Sequence, residues 1–222
     1  MSYLLPNPIK KRISGAVVRN LRASFSSAKT EQPKVELDER HLANTRILAN
    51  RQAMLSRLPS CPVIAEVGVA QGDFSHDILK LAQPRELHLV DAWHTKRYSS
   101  SLKQAVATRF ASEIEAGRVI IHQGLSTDIG RHLADQYFDF IYIDTDHSYQ
   151  TTIEELRLFS RKLKQGGILA GHDYTVGSFP TLAMYGVIAA VHQFCVEDDW
   201  ELKYLTVEQS VYPSFALRKR VS

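Results

Sequence analysis

Two short stretches of this 222-residue chain concentrate the side chains that could do chemistry. The first is Ile143-Asp144-Thr145-Asp146-His147-Ser148-Tyr149, where an apolar run ends in ionisable groups. The second is Gly171-His172-Asp173-Tyr174, again just after an apolar run. Three carboxylates and two imidazoles at neighbouring strand ends suit a hard divalent cation and proton transfer. Taken singly, each could instead cap a helix or be a satisfied polar residue.

A third stretch, Ala65-Glu66-Val67-Gly68-Val69-Ala70-Gln71-Gly72-Asp73-Phe74, reads as a glycine turn between a strand and a helix. Glycine lets the backbone approach a ligand closely, and open α/β sheets bind ligands at such turns. The Gly-x-x-x-Gly spacing, with Ala at position 70, departs from the Gly-x-Gly-x-x-Gly of dinucleotide dehydrogenases. Asp91 follows Gly72 by 19 residues at the end of the next apolar run. A carboxylate there can accept hydrogen bonds from both ribose hydroxyls of an adenosine cofactor, or cap the turn that follows.

These groups need a scaffold, and the pattern of apolar runs supplies one. Strands are predicted at Val63–Val67, Leu87–Val90, Val119–His122, Phe138–Ile143 and Ile168–Ala170. Helices are predicted near Ser75–Leu81, Leu102–Ala116, Thr127–Gln136 and Thr151–Leu163. Short apolar strands alternating with helices indicate an α/β domain whose parallel sheet is covered on both faces. After a helix around Tyr185–Phe194, runs at Leu202–Val207 and Ser214–Arg218 lie close enough in sequence for an antiparallel hairpin at one edge. Upstream, a helix is expected over about Asp38–Leu58, burying Leu42, Leu48, Met54, Leu55 and Leu58, with Pro59 and Pro62 closing it.

The length and 44% hydrophobic composition suit one packed domain. The net charge of +3 conceals an uneven distribution: residues 1–30 carry six Lys or Arg and no acid, and the remainder has 21 basic and 24 acidic residues. Such a total gives no argument for nucleic acid as a partner. Ile9, Ile13, Val17, Leu21 and Phe25 form a stripe at four-residue steps, with Lys11, Arg12, Arg19 and Arg22 opposite. A basic amphipathic helix over residues 8–25 can rest on an anionic bilayer as a peripheral contact, pack on its own domain, or join a second subunit in a homo-oligomer. The organisation expected is a basic helix and linker over 1–36 and a domain over 37–222. Cys61 and Cys195 lack disulfide-framework or metal-finger spacing, and no apolar run approaches the roughly 20 residues of a membrane span. A cytoplasmic location, at most associated with a membrane surface, is expected.

The motifs together, with Leu163-Lys164-x-Gly166-Gly167 ahead of Gly171-His172-Asp173-Tyr174, resemble the class I S-adenosylmethionine methyltransferases. Within that class they look like the branch of metal-dependent sugar and macrolide O-methyltransferases and cephalosporin-hydroxylase-like proteins. The resemblance covers roughly residues 40–218. It implies a Rossmann-like, seven-stranded, mostly parallel sheet with a C-terminal antiparallel hairpin. It also implies that Glu66, Gly68 and Gly72 hold the methionine end of S-adenosylmethionine, Asp91 its ribose, and that Gly124, Leu125 and Ser126 border the adenine. Asp144 and Asp173 match acidic metal positions for Mg²⁺ or another divalent cation. His172 stands where those enzymes carry an acid and could join the metal set. His147 matches the general base of some of these enzymes, and Asp146 a proposed base in others. The implied acceptor is a small-molecule hydroxyl on a sugar or polyketide, with Thr175–Tyr185 and the N-terminal helix available to cover it. Two other readings remain: a nicotinamide-dependent oxidoreductase, which the missing middle glycine disfavours, and a non-catalytic binding protein on the same scaffold.

Overall fold

The computed structural model describes residues 32–94, 100–178, 183–208 and 212–220, with Gly15. The expected basic helix lies outside the described residues except for Gly15, which is helical.

Five strands alternate with helices along the middle of the chain. They are β2 (Val63–Val67), β3 (Glu86–Asp91), β4 (Val119–Gln123), β5 (Phe138–Ile143) and β6 (Leu163–Gly171). Between them run α3 (Asp73–Leu81), α4 (Ser100–Arg109), α5 (Ala111–Glu115), α6 (Ser126–His132) and α7 (Tyr149–Ser160). The chain ends with the small hairpin β7 (Gly177–Ser178) and β8 (Ala183–Met184), helix α8 (Val187–Asp198), and strands β9 (Trp200–Thr206) and β10 (Phe215–Lys219). The expected alternation is therefore present, and the helix expected over 102–116 breaks at Phe110 into α4 and α5.

The N-terminal side departs from expectation. In place of one helix over 38–58, the chain forms α1 (Glu39–Leu42), the strand β1 (Arg46–Leu48) and α2 (Gln52–Leu55). The reason is tertiary. β9 has an open edge, and β1 pairs with it in parallel, Arg46 to Leu48 against Tyr204 to Thr206. Thr45 Oγ1 donates to the Leu202 carbonyl at 2.6 Å and Asn44 Nδ2 to Glu201 Oε2 at 2.9 Å, which fixes the break. Pairing of backbone groups outweighs the helical spacing of the leucines. Leu48, Met54 and Leu55 are buried as expected, but Leu42 is 41% exposed.

The main sheet has the order β1-β9-β10-β6-β5-β2-β3-β4, eight strands with β1 added at the edge beyond the seven expected. β2, β3, β4, β5 and β6 are mutually parallel, and β10 is antiparallel to both β6 and β9. The sheet is thus mostly parallel with an antiparallel C-terminal pair, and β10 sits inside it rather than at an edge.

Both faces are covered, as the near-continuous apolar sequence of the strands requires. On one face Val63, Ala65, Val67, Phe138 and Ile141 pack with Leu156 and Phe159 of α7 and with Val191 and Phe194 of α8. On the other, Ile64, Leu87, Leu89, Phe140 and Tyr142 pack with Phe74 and Ile78 of α3, Val106 of α4 and Met54 of α2. Asp139 reinforces this frame, its Oδ2 accepting from the Val63 N–H at 2.8 Å and from Lys164 Nζ at 2.7 Å. Phe159 has no exposed surface. Phe159→Ala is expected to lower unfolding stability by about 3–5 kcal/mol, measured by urea titration, through lost burial and the cavity left behind.

Candidate active site

Four backbone hydrogen bonds made at or just past the strand ends align the loops that carry the chemistry. Gly124 N–H donates to Asp91 O (3.0 Å), Gly68 to Val90 O (2.8 Å), Asp144 to Val67 O (2.7 Å) and His172 to Ile143 O (3.0 Å). These carboxyl ends of parallel strands are where open α/β sheets bind ligands. A cavity of about 740 Å³ opens there, with Glu66, Gly68, Asp91, Leu125, Ser126, Asp144, Asp146 and His147 among its lining residues.

The glycine turn works by close approach. Gly68 has φ +93°, and a Cβ on it would lie 1.8 Å from the Asp144 carbonyl oxygen, so the β2 and β5 loops touch backbone to backbone. Gly72, at φ +80°, caps α3 in the left-handed conformation. Neither Gly72 nor Gly124 lines the cavity; both shape the loops behind it.

Asp91 holds this turn together. Its Oδ2 accepts from the N–H groups of Val69 (2.8 Å) and Ala70 (2.9 Å), and its Oδ1 from the Trp93 N–H at 2.9 Å. Asp91 therefore ties the turn while lining the cavity. Trp93 closes the loop by donating its indole N–H to the Ala70 carbonyl at 3.0 Å.

Glu66 is buried, and Ser75 Oγ donates to its Oε2 at 2.5 Å. Burial pushes its carboxyl up to about 8, against the Ser75 hydrogen bond, so it is largely protonated at neutral pH. Glu155 of α7 behaves similarly. It is fully buried, accepts from Thr145 Oγ1 at 2.8 Å and also bonds Ser126, and burial raises it to about 7. It thereby links the loops after β4 and β5 from beneath.

The acid and imidazole groups converge. His147 Nε2 lies 3.1 Å from Asp144 Oδ1 and 2.6 Å from Asp173 Oδ2. His172 Nδ1 lies 3.3 Å from Asp173 Oδ2 and 3.6 Å from Asp144 Oδ2. Burial would lower the His147 imidazole, but the two carboxylates outweigh it and raise it to about 9. Asp173, buried too, is held well below the usual carboxylate range by His147 and His172. His147 and Asp173 both sit at left-handed φ, +63° and +57°, a conformation unfavourable for residues with a Cβ and found where surroundings over-determine it. Among the buried polar atoms without a partner are Asp173 Oδ1 and His172 Nε2.

The donor set fits a divalent cation. Ligand atoms of Asp144, His147 and Asp173 lie within 4.8 Å of one another, His172 flanks them, and the orphaned Asp173 oxygen lacks the partner a buried carboxylate requires. All three expected metal residues are thus brought together, with His147 among them rather than apart. Asp146 differs: it is exposed, and its oxygens accept from Ser148 N–H and Thr151 Oγ1, each at 2.9 Å, where they hold the start of α7. Tyr185 stacks on His147 with ring centroids 4.7 Å apart, placing the chain after β8 against the cluster.

Sequence reasoning missed Arg51, Trp93 and Glu155. Trp93, two residues past Asp91, carried a signal in its position; Arg51 lay within the expected helix, and Glu155 looked like one more charge on α7.

Residues 65–174 match a family model described as a methyltransferase domain. No curated protein matches the sequence. Among solved structures, a cofactor-bound protein from MTB is 17% identical with a TM-score of 0.57, the alignment covering 98% of this chain and 100% of that one. A Clostridium thermocellum protein described as an rRNA-methylase is 12% identical with a TM-score of 0.58, covering 78% and 99%. An Escherichia coli protein described as a methyltransferase is 11% identical with a TM-score of 0.54, covering 76% and 84%. At these identities the structures show a shared fold.

The raised carboxyl of Glu66 has a defined effect on stability. From its ordinary value near 4.5 up to about 8, the folded protein retains a proton that the unfolded chain has released, so this group makes stability fall as pH rises through that window. Glu66→Gln is expected to match the wild type near pH ~4 and to gain on it progressively toward pH ~8, read from urea midpoints across the range.

Proposed function

We propose that this protein transfers the methyl group of S-adenosylmethionine to a hydroxyl oxygen of a small molecule, assisted by a divalent cation. The observation that carries the reading is the convergence of His172 and the buried Asp173 on Asp144 and His147, which line a cavity that also contains the glycine turn and Asp91.

In this reading Glu66 and Gly68 would take the methionine end of the cofactor, Asp91 a ribose hydroxyl, and Leu125 and Ser126 the adenine edge, all of them lining one cavity. S-adenosylmethionine supplies an activated methyl on a cationic sulfonium, leaving the protein to position the acceptor and remove its proton. Asp144 and Asp173, flanked by His172, would hold the cation, which supplies Lewis acidity that lowers the pKa of a bound hydroxyl. His147 Nε2 is the proton acceptor in this arrangement. Its high proton affinity comes from Asp144 and Asp173 beside it. Tyr185 and the β7–β8 hairpin border the acceptor's side. A sugar or polyketide hydroxyl is the acceptor class the sequence resemblance favours.

Calorimetric titration with S-adenosylmethionine and with NADH, each with and without Mg²⁺, tests the class. Binding of S-adenosylmethionine and not NADH is expected, whereas the reverse would return the oxidoreductase reading. In an acceptor screen reading S-adenosylhomocysteine release, His147→Ala is expected to lose roughly 10²–10⁴-fold in turnover with cofactor affinity retained. Near-normal turnover would remove His147 as the base.

A further inference from the structure

Arg51 is unexplained by the roles assigned so far. It lies between β1 and α2, and its backbone N–H donates to Glu208 Oε1 at 2.6 Å. Its guanidinium carbon sits 4.3 Å from the centroid of the Phe74 ring, and the guanidinium is hydrogen-bonded to the Tyr142 hydroxyl. Tyr142 is itself buried and linked to Ser214 Oγ at 2.9 Å. The guanidinium is thus fixed in place from below and from the side.

Its surroundings make the charge informative. Among the described residues lining the cavity, Arg51 is the one Lys or Arg; the other ionisable groups are six carboxylates and two histidines. None of the ion pairs among the described residues includes Arg51. A half-buried guanidinium has five donors in a planar fork that matches a carboxylate, and Tyr142 engages only part of it. Glu66 and Gly68 line the same cavity, with Gly68 against the Asp144 backbone.

A ligand that fits a lone guanidinium in an acidic wall carries a carboxylate close to a cationic group. The amino-acid end of S-adenosylmethionine has that pattern, an α-carboxylate and an α-ammonium on one carbon. We propose that Arg51 binds the α-carboxylate of the cofactor through its guanidinium, while carboxylates elsewhere in the cavity lining receive the ammonium. This inference rests on the methyltransferase reading. It assigns the cofactor's orientation to a residue from the segment preceding β2, outside the strand-end motifs, and makes Arg51 a discriminator for ligands that bear an amino-acid carboxylate.

The test compares S-adenosylmethionine with its decarboxylated form, which lacks only that carboxylate, by calorimetry on the full chain. The wild type is expected to bind S-adenosylmethionine 10- to 100-fold more tightly, the range expected for a charge-assisted, two-pronged contact. Arg51→Gln is expected to lose that preference while holding the decarboxylated ligand within about threefold of wild type, the interaction appearing as the non-additive part of the cycle. A wild type that binds both ligands equally overturns the proposal without any variant, and so does an Arg51→Gln protein that keeps the preference. Equal losses for both ligands would make Arg51 a support for the cavity wall and also overturn it. A wild type that binds neither ligand overturns the methyltransferase reading itself, a result distinct from the others.

Discussion

The site depends on the alignment of parallel strands at their carboxyl ends. The hydrogen bonds from Gly124, Gly68, Asp144 and His172 to the neighbouring strands carry the sheet's register just past its last regular pairs. Each loop leaves its strand at a position set by the one beside it. A slip of one residue in any of these strands would turn the loop's first side chain to the opposite face. Glycine at position 68 is the tightest point of that frame, because nothing larger than hydrogen fits against the Asp144 carbonyl.

Within the frame, electrostatics divides the cavity into two regions. Near the glycine turn, Glu66 is held largely protonated by burial and Arg51 supplies positive charge, so this end is less acidic than its composition suggests. Around Asp144 and Asp173 the carboxylates raise the proton affinity of His147, and the two histidines hold Asp173 below the usual carboxylate range. In the proposed function one end would take the zwitterionic end of the cofactor and the other a cation and the proton of the acceptor. The same residue types serve different ends because burial and neighbours differ.

Much of this was readable in the sequence where a local rule governs. Val63–Val67 and Phe138–Ile143 form strands with the bounds expected, since buried strands flanked by turn residues leave few alternatives. The convergence of Asp144, His147 and Asp173 follows from two apolar runs ending in acids on adjacent parallel strands. What was not readable depends on distant partners. β1 exists because β9 offers an edge far along the chain, and no pattern within residues 38–58 announces that. Arg51 enters the cavity for the same reason, as it follows the strand that the helical spacing concealed. The left-handed backbone at His147, which sets the ring between two carboxylates, is likewise a product of the packing around it.

The pairing of β1 with β9 has a consequence for how the protein becomes functional during synthesis. The Thr45–Leu202 and Arg51–Glu208 contacts each span 157 residues of sequence, so the backbone pairing that holds the Arg51 segment waits until residues 202–208 have been made. The inner strands can assemble earlier from short-range βα units, but ordering this segment means closing a loop that encompasses nearly all of them. A nascent chain would carry the glycine turn and the acidic cluster before it could complete the cavity between them. Vectorial synthesis therefore delays the closing of this cavity until the β9 segment has been made.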